Sequence, residues 1–383
     1  MNWEVKKLSE IATTFEDGNW IESKDQSPNG IRLVQTGNVG NGKFKDRRDK
    51  ARYISEETFK KLRCTEIYQG DILVSRLPDP VGRACILPET GDKMITAVDC
   101  TIIRLNPNKV LPKWLLYYTT SDTYQYEIQK RVTGATRQRI SRKNLGLIPI
   151  PVAPLSEQQG IVSILDQAFA AIDKAKANAE QNLQNAKELF DSFSDTIPAD
   201  KVKLGSIVTI KTGKLNANTA KEDGDYPFFT CSREVFNIDN YAFDQEAVLL
   251  AGNNASGDFN VKHYKGKFNA YQRTYVIAAE NDEMVSNKYL YYQLQKSLKE
   301  FKRIAIGANT RFLKLGMIQN LQIPLPSYSE QMKLVQTFDS LLAETQKLEA
   351  VYQKKIDDLE ELKKSILQKA FAGELETEKA VVV

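Results

Sequence analysis

The sequence predicts an α+β chain made by internal duplication: a mixed α/β globular domain followed by a long amphipathic helix, written twice. Three observations predict it. Matching phrases recur in the same order through both halves, as expected of a repeat. Short β-branched runs bounded by Gly, Asn and Pro dominate each globular part. After each proline-containing strip, about forty residues carry apolar groups at three- and four-residue steps.

The repeat begins with Lys7-Leu8-Ser9-Glu10-Ile11 against Lys203-Leu204-Gly205-Ser206-Ile207. It continues with Ile72-Leu73-Val74 against Val248-Leu249-Leu250, and Trp114-Leu115-Leu116-Tyr117-Tyr118 against Tyr289-Leu290-Tyr291-Tyr292. Thr133-Gly134-Ala135-Thr136-Arg137 parallels Gly307-Ala308-Asn309-Thr310-Arg311. The clearest pair is Ile148-Pro149-Ile150-Pro151 with Leu155-Ser156-Glu157-Gln158, against Ile323-Pro324-Leu325-Pro326 with Tyr328-Ser329-Glu330-Gln331. These matches divide the chain into a domain at 1–152, a helix at 153–196, a second domain at 197–327, a second helix at 328–374 and a tail at 375–383.

Within the domains, strands are expected at Ile31–Val34, Asp71–Val74 and Cys100–Leu105, then at Ala247–Leu250 and Thr274–Ala278. A helix is expected over 112–129, which breaks any regular βαβ succession and gives an α+β domain. The IPIP and IPLP strips read as extended connectors, because proline supplies no ladder donor. Ser156 and Ser329 then serve as N-caps, with Glu157 and Glu330 in the positive first turn. The first helical seam is Ile161, Leu165, Ala168, Ile172, Ala175, Ala179, Ala186 and Phe193, with Asn182 as a polar exception. The second is Phe338, Leu341, Leu348, Tyr352, Leu359, Leu362 and Ile366, with Thr345 and Lys355 polar. A helix of this length spans about 55–60 Å and cannot bury its stripe on one small domain. The two helices are therefore expected to pack on each other as an antiparallel coiled coil, making a pseudo-twofold chain.

Composition narrows the function. The chain has 383 residues, 42% apolar and 27% charged, an ordinary globular balance. No apolar run reaches a membrane-spanning length and the first residues lack a signal-peptide core, so the expected setting is cytoplasmic, with no membrane contact. Cys64, Cys85, Cys100 and Cys231 form no C-x-x-C pair and read as reduced thiols. The single histidine, His263, leaves little scope for His-assisted nucleophiles or multi-His metal centres and reads as a surface residue. Asp71, Asp79, Glu89 and Lys93 do not make a convincing nuclease set, and neither N-P-P-Y nor D-P-P-Y occurs. No catalytic residue and no metal ligand is expected.

Charge is more informative. The net charge is +4, yet residues 156–195 carry −4 and 329–374 carry −2, leaving +10 on the rest. That excess points the globular parts toward a polyanion. Residues 130–143 hold six bases and no acid, and the matching stretch 296–314 holds six bases and one acid. Both are interleaved with Gly, Thr, Asn and Gln, which can approach phosphates and base edges. A third patch, 43–52, has six bases and two acids. The glycine-rich run 37–42 fits no phosphate-loop pattern and reads as a turn flanked by polar residues. The candidate DNA-binding residues are therefore Gln35, Thr36, Asn38, Lys45, Arg47, Arg48, Arg76, Thr136, Arg137, Gln138 and Arg139 in the first domain. In the second they are Asn253, Arg273, Asn309, Thr310 and Arg311.

The phrases IPIPVAPLSEQQGIV and IPLPSYSEQMKLV, the segment GDILVSR at 70–76 and the stretch LKKSILQKAFAGEL at 362–375 carry a family resemblance. Over essentially its whole length the chain resembles the specificity subunit of type I restriction–modification systems. The resemblance implies two target-recognition domains, each reading one half of a bipartite, asymmetric double-stranded DNA target. It implies helices that set the spacing and dock two methyltransferase subunits, with restriction subunits joining through the complex. S-adenosylmethionine, Mg²⁺ and ATP would belong to those partners, and this subunit would be non-catalytic. Two other readings compete: a coiled-coil scaffold for protein partners, and an enzyme acting on DNA unaided.

Overall fold

The computed structural model describes residues 3–194 and 199–375, apart from the side chains of 187 and 189–194. The tail from 376 and the seam position Phe193 lie outside the described residues. The first domain runs through β1 (Glu4–Lys7), α1 (Leu8–Ile11), β2 (Ala12–Asp17), β3 (Ile31–Val34), β4 (Arg52–Ile54), α2 (Glu56–Lys61), β5 (Glu66–Ile67) and β6 (Ile72–Ser75). It continues with β7 (Ala84–Ile86), β8 (Met94–Thr96), β9 (Cys100–Leu105), α3 (Pro112–Thr119), α4 (Asp122–Gln129), α5 (Arg142–Gly146), β10 (Pro149–Val152) and the long helix α6 (Leu155–Ser194). The second domain has β11 (Lys201–Lys203), β12 (Val208–Thr212), β13 (Tyr226–Phe229), β14 (Phe236–Ile238), β15 (Phe243–Ala251), β16 (Asn253–Asn254), β17 (Val261–Ala270) and β18 (Thr274–Ala279). Then come α7 (Asn287–Lys296), α8 (Leu298–Ile304), β19 (Arg311–Phe312), α9 (Leu315–Gln319), β20 (Gln322–Pro324) and the second long helix, α10 (Tyr328–Ala372).

The chain divides into two compact units, and both cuts fall inside the long helices. One unit joins the chain up to Asn178 with the chain from Lys355; the other is Ala179–Lys354. The two domain cores match. Leu8, Ile72, Val74, Ile103, Leu115, Ile140, Leu145 and Ile150 bury together in the first. Leu204, Val248, Leu250, Ile277, Leu290, Leu313, Ile318 and Ile323 do so in the second. Each such side chain contributes about 1.5–3 kcal/mol on burial.

The sheets differ for a local reason. In the second domain β12-β18-β15-β17-β13-β14 form one sheet, because the ten-residue β17 pairs with β15 along its length and with β13 at its end. In the first domain the equivalent path is cut: β7 stops at Ile86, and β8 starts a separate pairing with β3. Pro88 lacks a ladder donor and Gly91 takes φ +74°, so residues 87–93 leave the strand. The result is two four-stranded sheets, β2-β9-β6-β7 and β4-β3-β8-β5.

Four expectations are corrected. The proline strips are strands rather than connectors: β10 pairs antiparallel with β1, and β20 with β11. Proline is tolerated there because each ladder has only two strands, so both strands are edges. The helix over 112–129 is broken at Thr120-Ser121, where the Ser121 hydroxyl accepts from Tyr124 N–H and caps a new helix. The long helices start one residue before Ser156 and Ser329. Ser327 is the cap of the second, its Oγ accepting from Glu330 N–H while Glu330 accepts from Ser327 N–H; Pro154 precedes the first. Finally, the second seam holds at Phe338, Leu341, Thr345, Tyr352, Leu359 and Ile366 but is one residue out at three places: Leu348, Lys355 and Leu362 are exposed, while Glu349, Ile356 and Lys363 take the more sheltered positions.

Helix pairing is visible inside the first unit. Lys363 Nζ lies 3.2 Å from Asp173, and Lys176 pairs with Glu360. As one number rises the other falls, so the two segments run antiparallel. Leu367 and Ala370 bury with Ile161, Leu165, Phe169 and Ile172. Phe371 lies edge-on to Trp114 and Tyr118, at 4.9 and 5.1 Å. This explains the spacing of Leu367, Ala370 and Phe371 in the C-terminal phrase.

Each helix start is fastened to its domain by the same device. Gln158 is fully buried; its Oε1 accepts from Leu111 N–H, and its Nε2 donates to the carbonyls of Lys109 and Ala153. Gln331, also fully buried, accepts from Ser286 N–H and donates to Met284 and Pro326 carbonyls. About two turns further on, Asp166 receives Lys113 and the Tyr117 hydroxyl, and Asp339 receives Lys288 and the Tyr292 hydroxyl. Replacing Gln158 or Gln331 by Leu should cost about 2–4 kcal/mol, since three backbone groups lose their partners. Thermal unfolding of each variant checks this, and melting points within a degree of the parent would contradict it.

Candidate nucleic-acid interface

Both basic tracts form the same hairpin. Thr133 and Arg139 exchange backbone hydrogen bonds of 2.9 Å each way; Ile306 and Phe312 do so at 3.2 and 2.8 Å. Gly134 (φ +96°) and Gly307 (φ +112°) turn the chain at the same place. A Cβ would stand 2.4 Å from Arg137 O in the first and 2.0 Å from Thr310 O in the second, so only glycine fits. This register corrects the sequence pairing by one residue: Arg137 corresponds to Thr310, and Gln138 to Arg311. Thr136, Arg137, Gln138 and Arg139 are all exposed, as are Asn309 and Arg311, with Thr310 half-buried.

The first hairpin sits on charged side chains that lie inside the frame. Arg139 pairs with Asp99 at 3.0 Å. Ile140 N–H donates to Arg76 O. Arg76 itself is a correction: its side chain is 4% exposed, donating to Val98 O at 2.6 Å with Nε 3.3 Å from Asp17. Burial pushes its guanidinium pKa down and Asp17 counters that. It supports the loop and does not present a surface. Asp17 also receives the Thr101 hydroxyl at 3.1 Å.

A second buried arginine, Arg83, joins the other candidate loop to this one. Its Nε donates to Val39 O, Nη2 to Thr36 O, and Nη1 to the carbonyls of Leu77 and Pro80. Burial lowers its pKa as well. Gln35, Thr36 and Asn38 are thus held beside the 76–83 loop. Asn38 is a further correction, because it is 9% exposed and locked: Oδ1 accepts from Gln35 N–H and Nδ2 donates to Lys45 O. Its amide is consumed in folding the turn. Gln35 and Thr36 are half-buried. Lys45 and Arg47 are exposed, Arg47 lying against Gly37. Arg48 is exposed but answered by Asp46 at 3.1 Å and Asp92 at 3.0 Å, which share the buried Arg32.

The second domain gathers its candidates around the hairpin. β16 pairs with β19, placing Asn253 opposite Phe312 and Asn254 opposite Arg311. Arg273 is exposed and stacks over the Phe312 ring at 5.3 Å. Arg311 Nη1 donates to Ala305 O at 3.1 Å. Asn254 organises the neighbouring turn by accepting from Ser256 and Asp258 N–H groups.

Sequence reasoning does not find Arg83, Asp17, Asp99 or Phe312. Nothing local in P-V-G-R marks Arg83 as buried. Only the pairing of distant strands brings Asp17, Arg76 and Asp99 together. The Asp71, Asp79, Glu89 and Lys93 set is dispersed: Asp71 pairs with Arg104 at 2.6 Å and Lys93 with Glu56 at 2.9 Å. His263 is half-buried rather than at the surface, 2.8 Å from Glu246. Cys64, Cys85 and Cys100 are buried free thiols and Cys231 is a half-buried one. Among the described residues no cluster suited to a metal ion occurs, and no helix is long and apolar enough to cross a membrane.

The family model for the type I restriction modification DNA specificity domain matches residues 1–183 and 198–360. The type I restriction enzyme EcoDI specificity subunit of Escherichia coli is 40% identical over 184 residues, 48% of this chain and 40% of that protein. The putative MjaX specificity subunit of Methanocaldococcus jannaschii is 23% identical over 98% of this chain and 94% of its own. Among solved structures, one from a study of complex assembly and conformational transition in the type I R-M system aligns with TM-score 0.76 and 17% identity, over 97% of this chain and 98% of that one. The HsdS subunit from Thermoanaerobacter tengcongensis aligns with TM-score 0.56 and 18% identity, covering 97% of each chain.

Arg83→Met should loosen the 36–45 loop, because four carbonyls lose their donor, at a cost of about 2–4 kcal/mol. Amide exchange of Val39 and Lys45 should speed up while that of the β12–β18 ladder stays unchanged. Unchanged exchange at 39–45 would refute the staple.

Proposed function

The chain belongs to the type I restriction modification DNA specificity family, and from that premise we propose that each globular domain reads one half of a bipartite, asymmetric duplex target. The observation that carries this reading is the recurrence of one glycine-turned hairpin with unlike exposed side chains. Lys and Arg around each hairpin supply the salt-sensitive phosphate attraction, and Arg, Gln, Asn and Thr at its tip supply donors and acceptors for base edges. In the first domain the readers are Thr136, Arg137, Gln138 and Arg139, flanked by Gln35, Thr36, Lys45 and Arg47. In the second they are Asn253, Arg273, Asn309, Thr310 and Arg311.

The subunit itself performs no covalent step. Two methyltransferase subunits dock on it and restriction subunits join through the complex; S-adenosylmethionine, Mg²⁺ and ATP belong to those partners. The similarity to a chain solved in a study of type I R-M complex assembly supports such a multisubunit setting. The two long helices act as the spacer between half-sites. A protein-interaction scaffold would not require matched basic hairpins.

Selection from a randomised duplex pool by the chain with its methyltransferase partner tests the reading. A split motif with two unlike halves is expected, with log affinity falling by about 0.9 per phosphate contact for each unit of log salt. Salt-insensitive binding with no enriched motif would favour the scaffold. For the spacer role, four residues are inserted after Asn178 and four after Lys354, where the compact units divide. The insertion adds about 6 Å of helix. The preferred gap between half-sites should grow by about two base pairs at roughly 3.4 Å each; an unchanged gap contradicts the ruler.

A further inference from the structure

The two hairpins differ at positions where their frames agree, and the differences come in pairs. Backbone bonds fix the equivalence. Arg76 N–H donates to Asp99 O at 2.9 Å, and Gly252 N–H to Arg273 O at 2.9 Å. Ile140 N–H donates to Arg76 O at 3.2 Å, and Leu313 N–H to Gly252 O at 2.9 Å. Strand register sets Thr101 opposite Val74 and Tyr275 opposite Leu250. Position by position, Arg76 answers to Gly252, Asp99 to Arg273, Thr101 to Tyr275 and Arg139 to Phe312.

Beneath the hairpin the exchange is one of volume. In the first domain the small Thr101 leaves room for the inward Arg76. In the second the Tyr275 ring takes that space: a Cβ on Gly252 would stand 2.9 Å from Tyr275 Cε2 and 2.4 Å from Arg273 O. Tyr275 then reaches Leu313 O with its hydroxyl at 2.8 Å. On the surface the exchange is one of charge. The first domain puts an arginine on the hairpin and an acid on the facing loop, joined at 3.0 Å. The second puts the arginine on the loop and an aromatic ring on the hairpin, stacked at 5.3 Å. At these two equivalent positions each domain thus presents an anchored guanidinium, delivered from the hairpin in the first and from the facing loop in the second.

We infer that this pair is the half-site discriminator, Arg139 held by Asp99 in one domain and Arg273 held by Phe312 in the other. Arg139 is held through Nη2 by Asp99 and Arg273 through the face of its guanidinium by the Phe312 ring. Each retains further N–H groups for a guanine edge, where arginine donates in bidentate fashion to O6 and N7. Because the arginine rises from opposite partners of the pair, the two domains read their guanine at different offsets within the half-site. Asp99 and Phe312 are positioning residues. The inference rests on the DNA-reading proposal above and adds which side chains set the difference between halves.

The test uses the complex with the methyltransferase partner and competition among duplexes changed at one base pair at a time. Arg139→Lys keeps the charge but loses the fork. It should reduce preference at one G·C pair of one half-site about ten- to hundredfold, leaving the salt dependence and the other half-site unchanged. Arg273→Lys should do the same in the other half only. Asp99→Asn and Phe312→Leu should weaken the same two positions with smaller effect. Both arginines are exposed, so the variants should melt like the parent. Loss spread evenly over all positions would make the arginines phosphate contacts, and an unchanged preference would make the pair structural; either result overturns the inference. A parent complex that selects no split motif would instead overturn the DNA-reading proposal.

Discussion

A buried primary amide has four hydrogen-bonding sites and no water to satisfy them, so it ties down whatever surrounds it. Gln158 and Gln331 each occupy that position at the first turn of a long helix, bonded to the loop before a domain helix and to the end of the proline strip. The direction of each helix relative to its own domain follows from this contact. The Lys–Asp–Tyr triplets and the two-stranded proline ladders then hold the same geometry from two further points. Whatever the hairpins read, they are presented from a mount that is the same in both copies.

On that mount the frames agree closely while the surfaces do not. The hairpin bridges, their glycine turns and the bonds to the neighbouring strand ends recur. Side chains at those sites change in compensating sets: arginine and threonine for glycine and tyrosine below, acid and arginine for arginine and phenylalanine above. Compensation of this kind lets a surface change without moving the backbone, which is what two different half-sites on one fold require.

Much of the fold is legible in the sequence because duplication doubles every signal. The strands at 31–34 and 100–105, the two long helices and the matched basic tracts follow from patterns that occur locally. The departures have physical causes. The proline strips read as connectors because proline joins a sheet only where its missing N–H is not called for, as it is not at the edges of a two-stranded ladder. The second seam slips by a residue only in places, because Leu348 and Leu362 are apolar yet exposed, whereas Glu349 and Lys363 are charged yet sheltered. In the candidate interface, residue type alone does not tell a presented arginine from a structural one. Arg76 and Arg83 point inward to carbonyls, and Arg137 and Arg139 are exposed, although all four lie in polar loops. The division is set by contacts with residues far away in sequence, such as Asp17 and Val39.

If two like frames read two unlike half-sites, the target of the chain is split and asymmetric. Methylome sequencing of cells with this chain and its methyltransferase partner, against cells lacking the chain, tests that directly. Removing the chain should abolish one bipartite adenine-methylation motif whose halves differ and are separated by a fixed gap. A palindromic motif, a continuous motif, or a methylome unchanged by removal of the chain would contradict it.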